Sequence, residues 1–152
     1  MVSNDAARDP MSVAFEEARA AALREECPVG AALVRDGAVI ARAGNQTREW
    51  SDPTAHAELL ALREAAAKLG SERLAGCDLY VTLEPCTMCA GAISHARVRR
   101  LYYAAPDPKG GAVDHGPCFF RQPTCHHTPE VYGGIRESEA AAMLKAFFAA
   151  RR

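Results

Sequence analysis

The sequence predicts a single three-layer α/β/α domain over residues 1–152, and three observations support that prediction. Helix-period and strand-period segments follow the order α-ββ-α-β-α-β-loop-β-α, which puts helices on both faces of one sheet. The run "CDLYVTL" (77–83) has almost no polar residues, as expected of a strand buried on both faces. No internal repeat or domain-scale linker interrupts the pattern, and 152 residues suit one domain.

Each element has a local cause. "PMSVAFEEARAAALREE" (10–26) is rich in alanine, and Val13, Phe15, Ala18, Ala22 and Leu23 fall near helical spacing, predicting an amphipathic first helix. "PVGAALVRDGAVIARAGN" (28–45) reads as two short strands joined by Asp36-Gly37, a strong hairpin signal. Ser51-Asp52-Pro53 supplies turn chemistry before a long helix from about Ala55, which Gly70 should end. "CTMCAGAISHA" (86–96) predicts a short helix, and "VRRLYYA" (98–104) the next strand. The Pro- and Gly-rich segment from Ala105 to Pro129 is longer than ordinary connections, as are loops that bear function or lack order. "EVYGG" (130–134) is a brief strand and turn. "RESEAAAMLKAFFAARR" (136–152) is a closing helix whose Met143, Leu144, Phe147 and Phe148 form a stripe expected to face the core.

Eighteen Lys and Arg against nineteen Asp and Glu give a net charge of −1, which excludes a globally basic nucleic-acid binder but not a local basic surface. The N-terminal "MVSNDAARDPMS" lacks the apolar stretch of a secretory signal, and no apolar run approaches the ~20 residues that span a bilayer. A cytoplasmic chain without a membrane partner is the expectation. Thiols stay reduced in that compartment, so the six cysteines are read as core residues or metal ligands before disulfides.

Two short motifs carry chemistry. Cys86 and Cys89 in "LEPCTMCAGA" share the C-x-x-C spacing of a redox pair, half of a structural zinc knuckle, or two ligands of a catalytic metal. They stand at a predicted helix N-terminus, where the macrodipole and unpaired N–H groups favour thiolates. "TAHAE" places His56 and Glu58 at the start of the preceding helix. Two thiolates and an imidazole make three ligands for a tetrahedral Zn²⁺, with the fourth place open to water, the pattern of catalytic rather than structural zinc. Glu58 is a residue that neither a redox pair nor a structural knuckle needs, and a carboxylate at such a site can move protons in a hydrolysis. H-x-E followed by P-C-x-x-C is the signature already assigned to zinc nucleobase deaminases. Cys118, Cys125, His126 and His127 lie close together but in a segment with no helix or hairpin to frame a second metal site. Cys27 and Cys77 flank strands and read as small buried residues, while Trp50 suits either the mouth of a pocket or the packing of its own loop.

The segments "CPVGAALV", "AGN", "DPTAHAE", "LYVTLEPCTMCAGAI", "DPKGGA" and the final "FF…RR" together resemble the bacterial tRNA-specific adenosine deaminase family, within the cytidine/deoxycytidylate deaminase superfamily. The resemblance extends from about Cys27 to Arg152. It implies a mixed five-stranded sheet flanked by helices, a homodimer, and hydrolytic conversion of the wobble adenosine of a tRNA anticodon loop to inosine. It implies His56, Cys86 and Cys89 as zinc ligands and Glu58 as the catalytic proton shuttle. Asn45 matches the position that holds the flipped adenine, Asp107 and Lys109 the loop bordering the anticodon, and Phe148, Arg151 and Arg152, with Phe147, the helix end that meets the tRNA. Gln46 stands where the family often has a basic residue, and 115–134 departs from the usual loop. A deaminase of free guanine, cytosine or a modified purine is therefore the alternative, and a zinc-stabilised RNA-binding module without turnover is a more distant one.

Overall fold

Successive side chains along the strands point to opposite faces of the sheet, which sorts them into two layers. The computed structural model describes residues 8–151. Its elements are α1 (Pro10–Leu23), β1 (Gly30–Arg35), β2 (Ala38–Gly44), α2 (Ala57–Leu69), β3 (Cys77–Leu83), α3 (Thr87–His95), β4 (Arg100–Ala105), β5 (Glu130–Tyr132) and α4 (Glu137–Ala149). Ala31, Leu33, Leu79, Val81 and Leu101 face α2 and α3 in the larger core, with Ala61, Ala65 and Ile93 opposite them. Ala32, Tyr80, Tyr102 and Ala104 point the other way, against Met11 and Phe15 of α1 and Ala140 of α4. The result is the three-layer α/β/α arrangement expected of the sequence.

The strands lie in the order β2-β1-β3-β4-β5. β1 pairs antiparallel with β2 and β3, whereas β3–β4 and β4–β5 are parallel, so the five-stranded sheet is mixed. The β1–β2 hairpin turns through Asp36 and Gly37 at φ 50° and 78°, the left-handed pair that a two-residue turn needs to follow strand twist. β3 is buried on both faces except at Tyr80 and Leu83. Tyr80, Tyr102 and Tyr132 stack across β3, β4 and β5 with ring centroids 4.4 and 5.1 Å apart, a cross-strand ladder on the α1 side.

Two helices depart from the expectation. α1 begins where the Asp9 carboxylate accepts from the Met11 amide and Pro10 takes the first turn. It stops at Leu23 instead of Glu26, because Glu25 adopts φ 65°. Its buried stripe runs through Met11, Ala14, Phe15, Ala18 and Ala21, which leaves Leu23 on the opposite side and 87% exposed. α4 buries only Ala140. Met143, Leu144 and Phe147 are half-buried and Phe148 is 52% exposed, so the expected core-facing stripe is largely a surface. The physical reason is that α1 already covers most of that sheet face, and α4 rests on β4 near the short edge strand β5.

The 105–129 segment is an ordered wrap, broken by one 3₁₀ turn at Phe119–Arg121 whose Phe120 packs into the larger core. Among the described residues, no helix is long and apolar enough to cross a membrane.

Candidate active site

Two helix starts meet at one end of the sheet. His56 caps α2 with extended backbone at φ −77° and ψ 148°, and Cys86 caps α3 at φ −75° and ψ 176°. Because His56 sits just outside the helix, it escapes the 100° spacing that would turn it away from Glu58, and both side chains reach the same space. Cys89 follows in the first turn of α3 and is fully buried.

His56 Nδ1 lies 3.6 Å from Cys86 Sγ and 3.6 Å from Cys89 Sγ. Zinc–nitrogen and zinc–sulfur bonds of about 2.0 and 2.3 Å at a tetrahedral angle place those ligand atoms about 3.5 Å apart, so the three side chains fit Zn²⁺. All three ligand atoms fall within 4.8 Å of one another. Within the cluster the thiolate charge settles on Cys86. The hydrogen bond from Cys89, followed by the bond to His56, brings the Cys86 thiol down to about 4. The bond to Cys86 pushes Cys89 up, burial adds to this, and the same Cys86 bond raises His56.

Glu58 stands beside the cluster and is only 4% exposed. Burial pushes its carboxyl up to about 7, the Cys86 charge adds to this, and His56 opposes it. A carboxyl poised there can both take and give a proton at neutral pH.

These groups open onto a cavity of ≈ 200 Å³ whose wall includes Cys27, Val29, Asn45, Leu83, Asp107 and Gly110. Asn45 is buried at the end of β2, fixed by its amide donating to the Val29 carbonyl at 3.1 Å and by Arg24 donating to its own carbonyl at 3.3 Å. Asp107 Oδ1 accepts from the amides of Lys109 and Gly110 at 3.2 and 2.9 Å, which folds the loop into a tight turn at the cavity edge. Lys109 is exposed beside that turn.

Phe148 and Arg151 lie outside the cavity wall. Phe148 is on the exposed side of α4, while Arg151 stacks 3.5 Å over the Phe147 ring, donates to the Phe147 carbonyl and pairs with Glu25. Glu25 precedes Cys27 by two residues, so this contact brings the end of α4 beside the turn that leads into the cavity. Arg152 lies outside the described residues. Trp50 is 52% exposed and borders a separate groove of ≈ 580 Å³ with Arg24, Gln46 and Arg63.

Three features differ from the sequence reading or escape it. Cys27 is half-buried in the cavity wall and is no simple core residue, whereas Cys77 is fully buried. Cys125 and His127 brace the long loop, with Cys125 donating to the His127 carbonyl at 3.2 Å and the His127 ring donating to the Val98 carbonyl at 2.7 Å. Glu84, 2% exposed, lines the cavity between Leu83 and Cys86. The signal for Glu84 is a charged residue immediately after an otherwise apolar strand, where a buried carboxylate must find several donors.

With this geometry in view, residues 5–105 match the family model of the cytidine and deoxycytidylate deaminase zinc-binding region. The tRNA-specific adenosine deaminase of Agrobacterium fabrum is 63% identical over 142 residues, covering 93% of each chain. A solved chain from work on A-to-I editing by tRNA:A34 deaminases at the wobble position of transfer RNA superposes with a TM-score of 0.88 at 64% identity, covering 89% of this chain and 98% of that one. A guanine deaminase from Nitrosomonas europaea superposes with a TM-score of 0.76 at 26% identity, covering 98% of this chain and 86% of that one.

Proposed function

This chain belongs to the cytidine and deoxycytidylate deaminase zinc-binding family, and from that premise we propose that it hydrolyses adenosine to inosine at the wobble position of tRNA. The observation that carries the hydrolytic reading is a buried Glu58 beside a His-Cys-Cys cluster of zinc dimensions. The 63% identity to a tRNA-specific adenosine deaminase supports the substrate.

His56, Cys86 and Cys89 hold Zn²⁺, which when bound supplies the Lewis acid that makes water a nucleophile near neutral pH. Glu58 accepts a proton from the attacking water and delivers it to adenine N1 as the new C6–O bond forms. It then moves the second water proton to the exocyclic nitrogen, and the C6–N bond breaks to leave inosine and ammonia. Asn45 holds the base by its amide, and Asp107 with Lys109 borders the flanking nucleotides. Phe148, Arg151 and Arg152 meet the RNA. A base in an anticodon loop is unpaired, so turning it into a small cavity costs little.

Residues 1–152 form one deaminase domain, acting in the cytoplasm as a homodimer without a membrane partner. A free-base deaminase is the second reading, favoured by the guanine deaminase likeness at 26% identity and by the departures at Gln46 and 115–134. The test is an anticodon stem-loop incubated with wild-type protein and with Glu58→Ala, then sequenced for inosine. Wild type converts the wobble adenosine, and Glu58→Ala keeps its zinc and loses about 10²–10⁴-fold in rate. Ammonia from free guanine with no inosine in the RNA would overturn the substrate; an unimpaired Glu58→Ala would overturn the mechanism.

A further inference from the structure

The buried carboxylate of Glu84 collects five donors from one loop. Its Oε1 accepts from the Asp107 amide at 3.0 Å and from the His115 ring at 2.7 Å. Its Oε2 accepts from the amides of Val113, Asp114 and His115 at 3.1, 2.9 and 3.2 Å. A carboxylate offers about four lone-pair sites, so this one is saturated by a single stretch of chain. The next residue takes part as well, since the Ala112 amide donates to the Pro85 carbonyl at 2.9 Å.

The peptide from Leu83 to Cys86 therefore does two things at once: it ends in a residue of the metal cluster, and it anchors the loop that supplies Asp107 and Gly110 to the opposite cavity wall. We infer that Glu84, with His115 as its clamp, is a positioning residue that sets the distance between the metal cluster and the substrate-facing loop.

The inference rests on the deaminase reading, because it assigns Glu84 to that same cavity. Both charge and length are needed at this position. Glutamine would turn an NH₂ either toward the three amides that Oε2 serves or toward the Asp107 amide and the His115 ring that Oε1 serves, so three amides, or at least the Asp107 amide, lose their acceptor. Aspartate is one methylene shorter and cannot meet both ends of the loop. Since the loop wall contacts substrate in the ground state and the transition state alike, its displacement should raise KM and leave kcat nearly unchanged.

The test compares zinc-loaded wild type, Glu84→Gln and His115→Ala by two readouts. Amide hydrogen exchange is followed at 107 and 113–115 without substrate, and KM and kcat are measured on an anticodon stem-loop. Glu84→Gln should retain zinc, lose about a hundredfold in exchange protection at 107 or at 113–115, whichever amides face its NH₂, and raise KM about tenfold with kcat within about threefold. His115→Ala, which removes one donor at a partly exposed side chain, should raise KM about threefold and serves if Glu84→Gln does not fold. Unchanged protection, or lost protection with unchanged KM, overturns the inference. A wild-type protein that leaves the stem-loop unedited instead overturns the function, and the exchange readout still decides whether Glu84 holds the loop.

Discussion

Gly111 is buried where the Glu84 loop passes closest to its anchor, and replacing it with alanine tests the packing directly. A Cβ on Gly111 would lie 2.5 Å from Glu84 Cδ and 2.6 Å from both Glu84 Oε2 and the Asp107 carbonyl. Ordinary contact begins near 3.4 Å, so about 0.9 Å of separation must be found (3.4 minus 2.5) between a backbone and a saturated carboxylate. Shared between backbone and carboxylate, about half of that displacement falls on the hydrogen bonds, which takes the 3.1 Å bond from Val113 and the 3.2 Å bond from His115 out of range and only stretches the 2.9 Å bond from Asp114. Each buried amide left without an acceptor costs about 1–3 kcal/mol, so two cost about 4 kcal/mol at mid-range. For a chain of this size each kcal/mol lowers Tm by about 2–4 °C, and Gly111→Ala should melt about 8–16 °C below wild type in calorimetry. A Tm within about 2 °C of wild type would refute the reasoning, since it would mean that the loop yields without losing its anchor.

Three further outcomes follow from the same structure. Phe15→Ala empties a fully buried site between α1 and the sheet, beneath the Arg136 guanidinium 4.4 Å from the ring centroid, and should cost about 3–5 kcal/mol in chemical denaturation. Glu16 is held down to about 2 by hydrogen bonds first from Arg8 and then from Arg42, so its stabilising contribution is complete above pH 4.5 and disappears as pH falls toward 2. With 38% of that side chain exposed, the wild-type advantage over Glu16→Gln should stay below about 1 kcal/mol at pH 7 and vanish at pH 2; an advantage that grew on acidification would contradict the sign. Chelation should abolish deamination and lower Tm, and Zn²⁺ but not Mg²⁺ should restore both; recovery with Mg²⁺ would rule out the sulfur-ligated site.

Local signals read well in this chain. The Asp36-Gly37 hairpin, the apolar β3 run and the proximity of His56 and Glu58 all depend on residues a few positions apart, where backbone geometry converts spacing into placement. The meeting of His56 with Cys86 and Cys89 spans some thirty positions, but two helix starts at one sheet end bring them together. Leu23 and Phe148 read less well. Leu23 sits off the stripe that α1 buries, and for Phe148 helical periodicity says which residues share a face but not whether a neighbouring layer has room to cover it. α1 fills its sheet face with Ala18 and Ala21, and α4 finds only an edge to rest on.

From the sequence alone follow the order of the elements, the three-layer class, and the residue types of the His-Cys-Cys cluster. Tertiary structure decided which residues form the cavity wall and how that wall is held. Cys27 reaches the cavity because the turn after α1 brings it there, and Glu84 becomes an anchor because donors from 107 to 115 close around it, 23 to 31 positions away. Periodicity and spacing are properties of a short stretch of chain. A hydrogen-bond network closed by a long loop depends on where the rest of the fold places its ends, so no short motif announces it.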